Sequence, residues 1–117
     1  MNLNEIKTSR YNLGKSEMCS GNKYRIRMSY NGVTVSFNYH DNYKNESGVK
    51  DYLYALLSDK NAYESTRDVN DFMLGFGYKN YNEAKRIREA CKRNSEKLEK
   101  LFNSEELEEI EKELENY

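Results

Sequence analysis

The dipeptide Asn31-Gly32 constrains the fold more than any other feature of this sequence, because it separates two stretches in which apolar and polar residues alternate. Apolar side chains occupy every second position on both sides of it: Tyr24, Ile26, Met28 and Tyr30, then Val33, Val35, Phe37 and Tyr39. A period of two is typical of a strand with one buried face. Both turn residues tolerate the positive φ of a two-residue type I′ turn. We therefore predict an antiparallel β-hairpin over residues 22–40.

The segment before the hairpin, residues 1–21, shows no sustained apolar period. It is either a flexible segment or an edge strand over 5–13 that would make the sheet three-stranded. A lone hairpin is marginally stable in water, so its apolar face needs cover from elsewhere in the chain. Helices in the C-terminal part are the natural cover.

Residues 48–115 carry apolar side chains at helical spacing and predict three to four helices. The first should begin after Ser47 as its N-cap and end at residues 59–61, and the second should stop at Gly77. The longest should cover 82–102. Asn103 then has capping-box spacing with Glu106 and should begin the last helix. The whole pattern predicts a single α+β domain over residues 1–117, with the hairpin packed on the helices.

Charge and cysteine content limit the classes of function. The net charge is -1, but residues 1–50 carry 8 Lys and Arg against 4 Asp and Glu, whereas residues 51–117 carry 11 against 16. No apolar run is long enough for a membrane span and no secretion-signal pattern is present, so we expect a cytoplasmic protein. Cys19 and Cys91 have no CxxC or histidine companion, so no metal, cofactor or redox motif is expected.

Nothing in the sequence predicts catalysis. His40 is the only histidine, so a Ser-His-Asp or Cys-His mechanism would have to use it. Its place at the end of the second predicted strand favours an exposed residue near a turn. The Gly75-Phe76-Gly77 segment follows a predicted helix instead of a strand, which indicates a helix stop and not a phosphate-binding loop. We therefore expect that the protein is not an enzyme.

Two charged surfaces are the candidate binding sites. The acidic candidates lie on the last helix and at the start of the second: Glu105, Glu106, Glu108, Glu109, Glu111 and Glu113, with Asp68 and Asp71. They could meet an arginine-rich groove on a partner. A solvated glutamate face, and aspartates that favour the helix dipole, are the simpler interpretations.

The basic candidates lie on the predicted outer hairpin face and the long helix: Arg25, Arg27, Lys85, Arg88 and Lys92. Such residues could contact the phosphates of a nucleic acid. Glutamates interrupt the basic helix, and the whole-chain pI is near 5.9. Both features favour a solvated amphipathic surface over a strong nucleic-acid groove.

Four segments in a fixed order carry a family resemblance: the YRIRMSYNGVTVSFNY hairpin, the DYLYALLSD helix, the DFMLGFGY segment and the closing LFNSEELEEI. Over residues 22–112 the chain resembles a widespread family of small proteins from phages and mobile elements of Gram-positive bacteria. Some small proteins of this kind are anti-CRISPR proteins. The resemblance implies a non-enzymatic inhibitor, in the cytoplasm of the bacterial host, that binds a type II Cas nuclease or its guide-RNA complex and blocks nucleic-acid binding or cleavage.

The alternative to an inhibitor is a phage nucleic-acid-binding accessory or regulatory protein that uses the basic candidates. The two hypotheses differ in the sign of the charge that contacts the partner. The oligomeric state is open in both.

Overall fold

The computed structural model describes residues 1–42 and 47–117. After a 3-10 turn at Leu3–Glu5, the elements in chain order are β1 Lys7–Lys15, β2 Asn22–Tyr30, β3 Val33–Asp41, α1 Val49–Glu64, α2 Val69–Phe76, α3 Tyr81–Leu101 and α4 Ser104–Glu113. A three-stranded antiparallel sheet therefore precedes four helices. The predicted α+β class, with its sheet at the N-terminus, is confirmed.

The sheet is a meander with the order β1-β2-β3. Asn31 and Gly32 have φ values of 49° and 82°, so the tight turn predicted between β2 and β3 is confirmed. β1 pairs with β2 from Lys7 opposite Ser29 onward, which decides between the two possibilities for residues 1–21 in favour of an edge strand. A bulge between Asn12 and Gly14 shifts the register near the end of β1.

The inner face of the sheet forms one buried cluster with α1, the C-terminal part of α3, and α4. Its most deeply buried members have essentially no exposed surface: Ile26, Met28, Leu53, Leu56, Leu98 and Ile110. Burial of each such side chain stabilises the fold by about 1.5–3 kcal/mol. The helices thus supply the cover that the hairpin needs.

A second, smaller cluster attaches α2 to the N-terminal part of α3 through Phe72, Ala84 and Cys91. Ala62 and Tyr63 of α1 pack against it. The helix α1 continues to Glu64, beyond the predicted end at residues 59–61, because these contacts stabilise its last turn. The prediction was short because the apolar spacing it followed stops at Leu57.

The predicted cap of α1 is wrong. Gly48 occupies the N-cap position, and its N–H donates to Asp51 Oδ2 at 2.8 Å. Ser47 instead donates its hydroxyl hydrogen to the carboxylate of Asp41 at the end of β3. This bond to a residue six positions earlier takes the place of the capping bond that was predicted for the Ser47 side chain.

Candidate functional site

The outer face of the sheet is polar and basic, and none of its strand residues is a carboxylate. It presents Lys7, Ser9 and Tyr11 from β1, Lys23, Arg25, Arg27 and Ser29 from β2, and Thr34, Ser36, Asn38 and His40 from β3. The alternation of the hairpin produces this face, because burying the apolar residues at every second position directs the intervening polar and cationic residues to the other side.

A groove lies between this outer face and α3, which runs beside β3. It encloses about 660 Å³. Five cationic side chains line it: Lys23 and Arg25 from β2, and Arg86, Arg93 and Lys97 from α3. Arg86 and Arg93 are seven residues apart, and Arg93 and Lys97 are four apart. Both spacings are close to whole turns of a helix, so the three cations of α3 face the groove together.

Most of these cations lack a carboxylate partner. Lys23 is 3.8 Å from the exposed Glu17, but Arg25, Arg86 and Arg93 form no ion pair within residues 1–42 and 47–117. Burial lowers the pKa of Lys97, and repulsion from Arg93 and Lys100 lowers it further. A bound anion would relieve this repulsion.

The groove is also lined by a partly buried acid, Asp59, whose Oδ2 accepts a 2.7 Å hydrogen bond from Asn94 Nδ2. Burial raises the pKa of Asp59. Burial and the neighbouring Asp59 raise the pKa of the Cys91 thiol to about 12. The Cys91 thiol is therefore protonated at neutral pH, as is typical of a buried structural cysteine.

His40 holds one wall of the groove in place. Its Nδ1 lies 2.7 Å from Ser16 Oγ, and that oxygen accepts the backbone N–H groups of Met18 and Cys19. The histidine thereby fixes the loop between β1 and β2. It lines the groove and is partly buried, not simply exposed near a turn as the sequence indicated.

The structure separates the predicted basic residues. Arg25 lines the groove, and Arg27 lies further along the same sheet face beside Lys7. Arg88 instead donates to the carbonyl of Thr66 at 2.8 Å and lies 4.6 Å from the centre of the Tyr63 ring. Its role is to join α3 to the end of α1.

Lys85 and Lys92 are exposed on another side of α3 and do not line the groove. The groove uses Arg86, Arg93 and Lys97, which were not selected from the sequence. Selecting them requires knowing which side of α3 faces β3.

The predicted acidic residues on α4 divide into two groups. Glu106 accepts the backbone N–H of Asn103 at 3.0 Å and the Tyr30 hydroxyl at 2.6 Å. Glu109 pairs with the amino group of Met1. The others are exposed and form no ion pair in the described part of the chain: Glu105, Glu108, Glu111 and Glu113.

Asp68 and Asp71 serve the start of α2. Asp68 is the N-cap and accepts the N–H of Asp71 at 2.8 Å. Asp71 accepts the N–H of Arg67 at 3.1 Å and lines a hollow beside Leu74. Glu108 and Glu111 line a different groove, between α1 and α4. The two acidic sets therefore do not form one surface.

Replacing Glu106 by Gln is expected to weaken the acid dependence of stability. The Tyr30 hydroxyl and the Asn103 N–H lower the pKa of Glu106, so its charged form stabilises the fold above the unfolded carboxyl pKa. This contribution is lost as the pH falls through the folded pKa. The difference in unfolding free energy between about pH 7 and about pH 3, measured by urea denaturation, should be smaller in Glu106→Gln than in the wild type.

The matched control is Glu105→Gln, one residue earlier, where the exposed carboxylate has no hydrogen-bond partner within residues 1–42 and 47–117. It should retain the full acid dependence of the wild type. Identical pH profiles for wild type and Glu106→Gln would contradict the assignment.

Comparisons with protein-family models, curated proteins and solved structures give no match for this chain. Within residues 1–42 and 47–117, no helix is long and apolar enough to cross a membrane. The same residues contain no group of three or more His, Cys, Asp or Glu side chains arranged to hold a metal ion. The basic groove is therefore interpreted from its own geometry.

Proposed function

We propose that this protein is a nucleic-acid-binding accessory or regulatory protein that holds a sugar-phosphate backbone in the groove between the outer sheet face and α3. One observation carries the proposal: five cations from two elements line one concave surface, and four of them, Arg25, Arg86, Arg93 and Lys97, form no ion pair within residues 1–42 and 47–117. Lys and Arg side chains clustered in this way match a row of phosphates.

The net charge of -1 is compatible with this function because most acidic residues lie elsewhere: of the residues that line the groove, five are cationic and two, Glu17 and Asp59, are acidic. Seven glutamates fall within residues 103–117, and the exposed ones of α4 do not line the basic groove. Salt screens exposed charges beyond about 8–10 Å. A phosphate in the groove therefore responds mainly to the lining cations and only weakly to the chain as a whole.

The residues that line the groove also bear on the type of recognition that we propose. Arginine and lysine contacts to phosphate fix position and register without reading sequence. Asn38 and Asn94 also line the groove, but Asn94 already donates to Asp59 and accepts from Lys97, so its amide is less available to a base edge. We therefore propose binding with little sequence preference, as in a protein that coats, delivers or shields nucleic acid.

Fluorescence anisotropy with labelled oligonucleotides of mixed sequence tests the proposal. The protein should bind at low salt and release the oligonucleotide as salt is raised, because binding displaces counterions from the phosphates. Absence of binding at about 20 mM salt, where electrostatic attraction is strongest, would overturn the proposal.

A second candidate function is inhibition of a type II Cas nuclease, which the family resemblance supports. The specific observation is the set of exposed and unpaired carboxylates on α4, which includes Glu105, Glu108 and Glu111. Cas nucleases hold nucleic acid in positively charged channels, for which an acidic helix is a suitable competitor.

The test of this candidate is target cleavage by a reconstituted type II Cas nuclease with and without the protein. Inhibition that is lost in the combined Glu105→Gln, Glu108→Gln and Glu111→Gln variant would support contact through α4. Inhibition that this variant retains, or no inhibition by the wild type, would count against it. Wild-type nucleic-acid binding by the inactive variant would show that the two surfaces act separately.

A further inference from the structure

Tyr11 is the most exposed aromatic side chain of the sheet. It lies near the middle of the outer face of β1 and is 70% exposed. Its ring takes part in no aromatic or cation-π contact within residues 1–42 and 47–117, whereas the exposed Tyr54 packs its ring 5.8 Å from that of Tyr117. The Tyr11 ring is therefore open to a partner from outside the chain.

The position of Tyr11 connects it with the basic groove. The register places it directly opposite Arg25, which lines the groove. Directly paired residues on one face have Cβ atoms about 4.5–5.5 Å apart. The ring and the nearest groove cation therefore form one continuous surface across β1 and β2.

The surroundings of the ring on this face are polar: the cation Arg25 lies directly opposite it, and shorter side chains lie around this pair. On the same face, Ser9 lies two residues before Tyr11. On β3, Ser36 is paired with Arg27 and Asn38 is paired with Arg25. These short side chains leave the face open on either side of the ring. No strand residue of this face is a carboxylate, and the two acids at its margin are Glu17, in the loop beside Lys23, and Asp59, in the groove.

We infer that the ligand of this surface is a single-stranded nucleic acid, RNA or DNA, whose backbone follows the basic groove while one base stacks on the ring of Tyr11. The inference rests on the proposed nucleic-acid function and adds the strandedness of the ligand and a stacking residue. Only unpaired bases present a free face to an aromatic side chain, and open sheet faces with an exposed aromatic are a recurrent platform for them.

The test uses fluorescence anisotropy with four labelled probes of about 12 nucleotides, a length within the range that single-strand grooves occupy. They are single-stranded RNA, single-stranded DNA of the same sequence, an abasic backbone and the matching DNA duplex. Three variants accompany the wild type. Tyr11→Phe keeps the ring, Tyr11→Ala removes it, and Tyr11→Thr removes it while keeping the preference for a strand.

The wild type should bind the single strands more tightly than the abasic backbone. Tyr11→Ala and Tyr11→Thr should each lose about tenfold in affinity for a single strand, as expected from removing one base–aromatic stack. They should bind the abasic probe and the duplex as the wild type does, and Tyr11→Phe should match the wild type on every probe. A loss on RNA alone, on DNA alone or on both supports stacking and identifies the source of the strand.

Two results would overturn the inference while leaving the proposed function in place. One is equal binding of single strand and abasic backbone by the wild type. The other is unchanged single-strand binding in both Tyr11→Ala and Tyr11→Thr. Failure of the wild type to bind any of the four probes would instead overturn the proposed function and this inference together.

Discussion

Replacing Arg86 and Arg93 together by glutamate is expected to lower nucleic-acid affinity by about 100- to 1000-fold, since each exchange removes an attraction and adds a repulsion of about 1 kcal/mol near a phosphate. Both side chains are exposed, line the groove and have no ion-pair partner in the described chain. The fold should therefore tolerate the change. Anisotropy at fixed low salt measures the affinity, and a denaturation curve confirms the folded state.

The matched control is the double variant Lys85→Glu and Lys92→Glu. It changes the charge of α3 by the same amount with the same residue spacing, but on a side that does not line the groove. Its affinity should fall by less than about fivefold, because Lys85 and Lys92 project about 100° around the helix from Arg86 and Arg93, and salt weakens the effect of exposed charges outside the groove. Equal losses in the two variants would show that total charge, and not the groove, governs binding.

Replacing Gly21 by Ala is expected to destabilise the fold by about 3 kcal/mol, at the upper end of the cost of overpacking. A Cβ atom at this position would overlap the backbone carbonyl of Asp41 and lie 2.8 Å from the Cα of Asn42. Neither backbone atom can move without disturbing the end of β3. The midpoint of urea denaturation should fall accordingly.

Gly75 provides the control for this change. It lies within α2, and a Cβ atom there would meet no atom within 4 Å. Gly75→Ala should be neutral or stabilise the protein by up to about 1 kcal/mol, because alanine loses less backbone entropy in a helix. If Gly21→Ala were as stable as Gly75→Ala, the close approach of the loop to β3 would be refuted.

The fold was predictable where local chemistry determines it. The Asn31-Gly32 turn, the alternation of β2 and β3, and the capping box of Asn103 and Glu106 each depend on residues close together in sequence, and the structure contains all three. The pairing of β1 does not follow from the sequence, because the inner face of this strand has little apolar periodicity. Arg10 occupies that face, over the ring of Tyr24 and 3.6 Å from Asp41.

The candidate site was less predictable because it depends on contacts between distant segments. Cations were expected on the outer sheet face and on α3, but the groove also requires that α3 lie beside β3 with Arg86 and Arg93 turned toward it. The glutamates of α4 are a second example, because the sequence contains the whole row but does not distinguish its members. Only the structure shows that Tyr30 and Met1 engage Glu106 and Glu109.

The salt dependence of binding tests the groove most directly. For single-stranded DNA, the logarithm of the association constant should fall linearly with the logarithm of salt concentration, with a slope of about -0.7 for each phosphate neutralised. Arg93→Gln should reduce the magnitude of the slope by about 0.7, which corresponds to the loss of one phosphate contact. Lys85→Gln should leave the slope unchanged. A wild-type affinity independent of salt, or the same slope in wild type and Arg93→Gln, would contradict backbone binding in the groove.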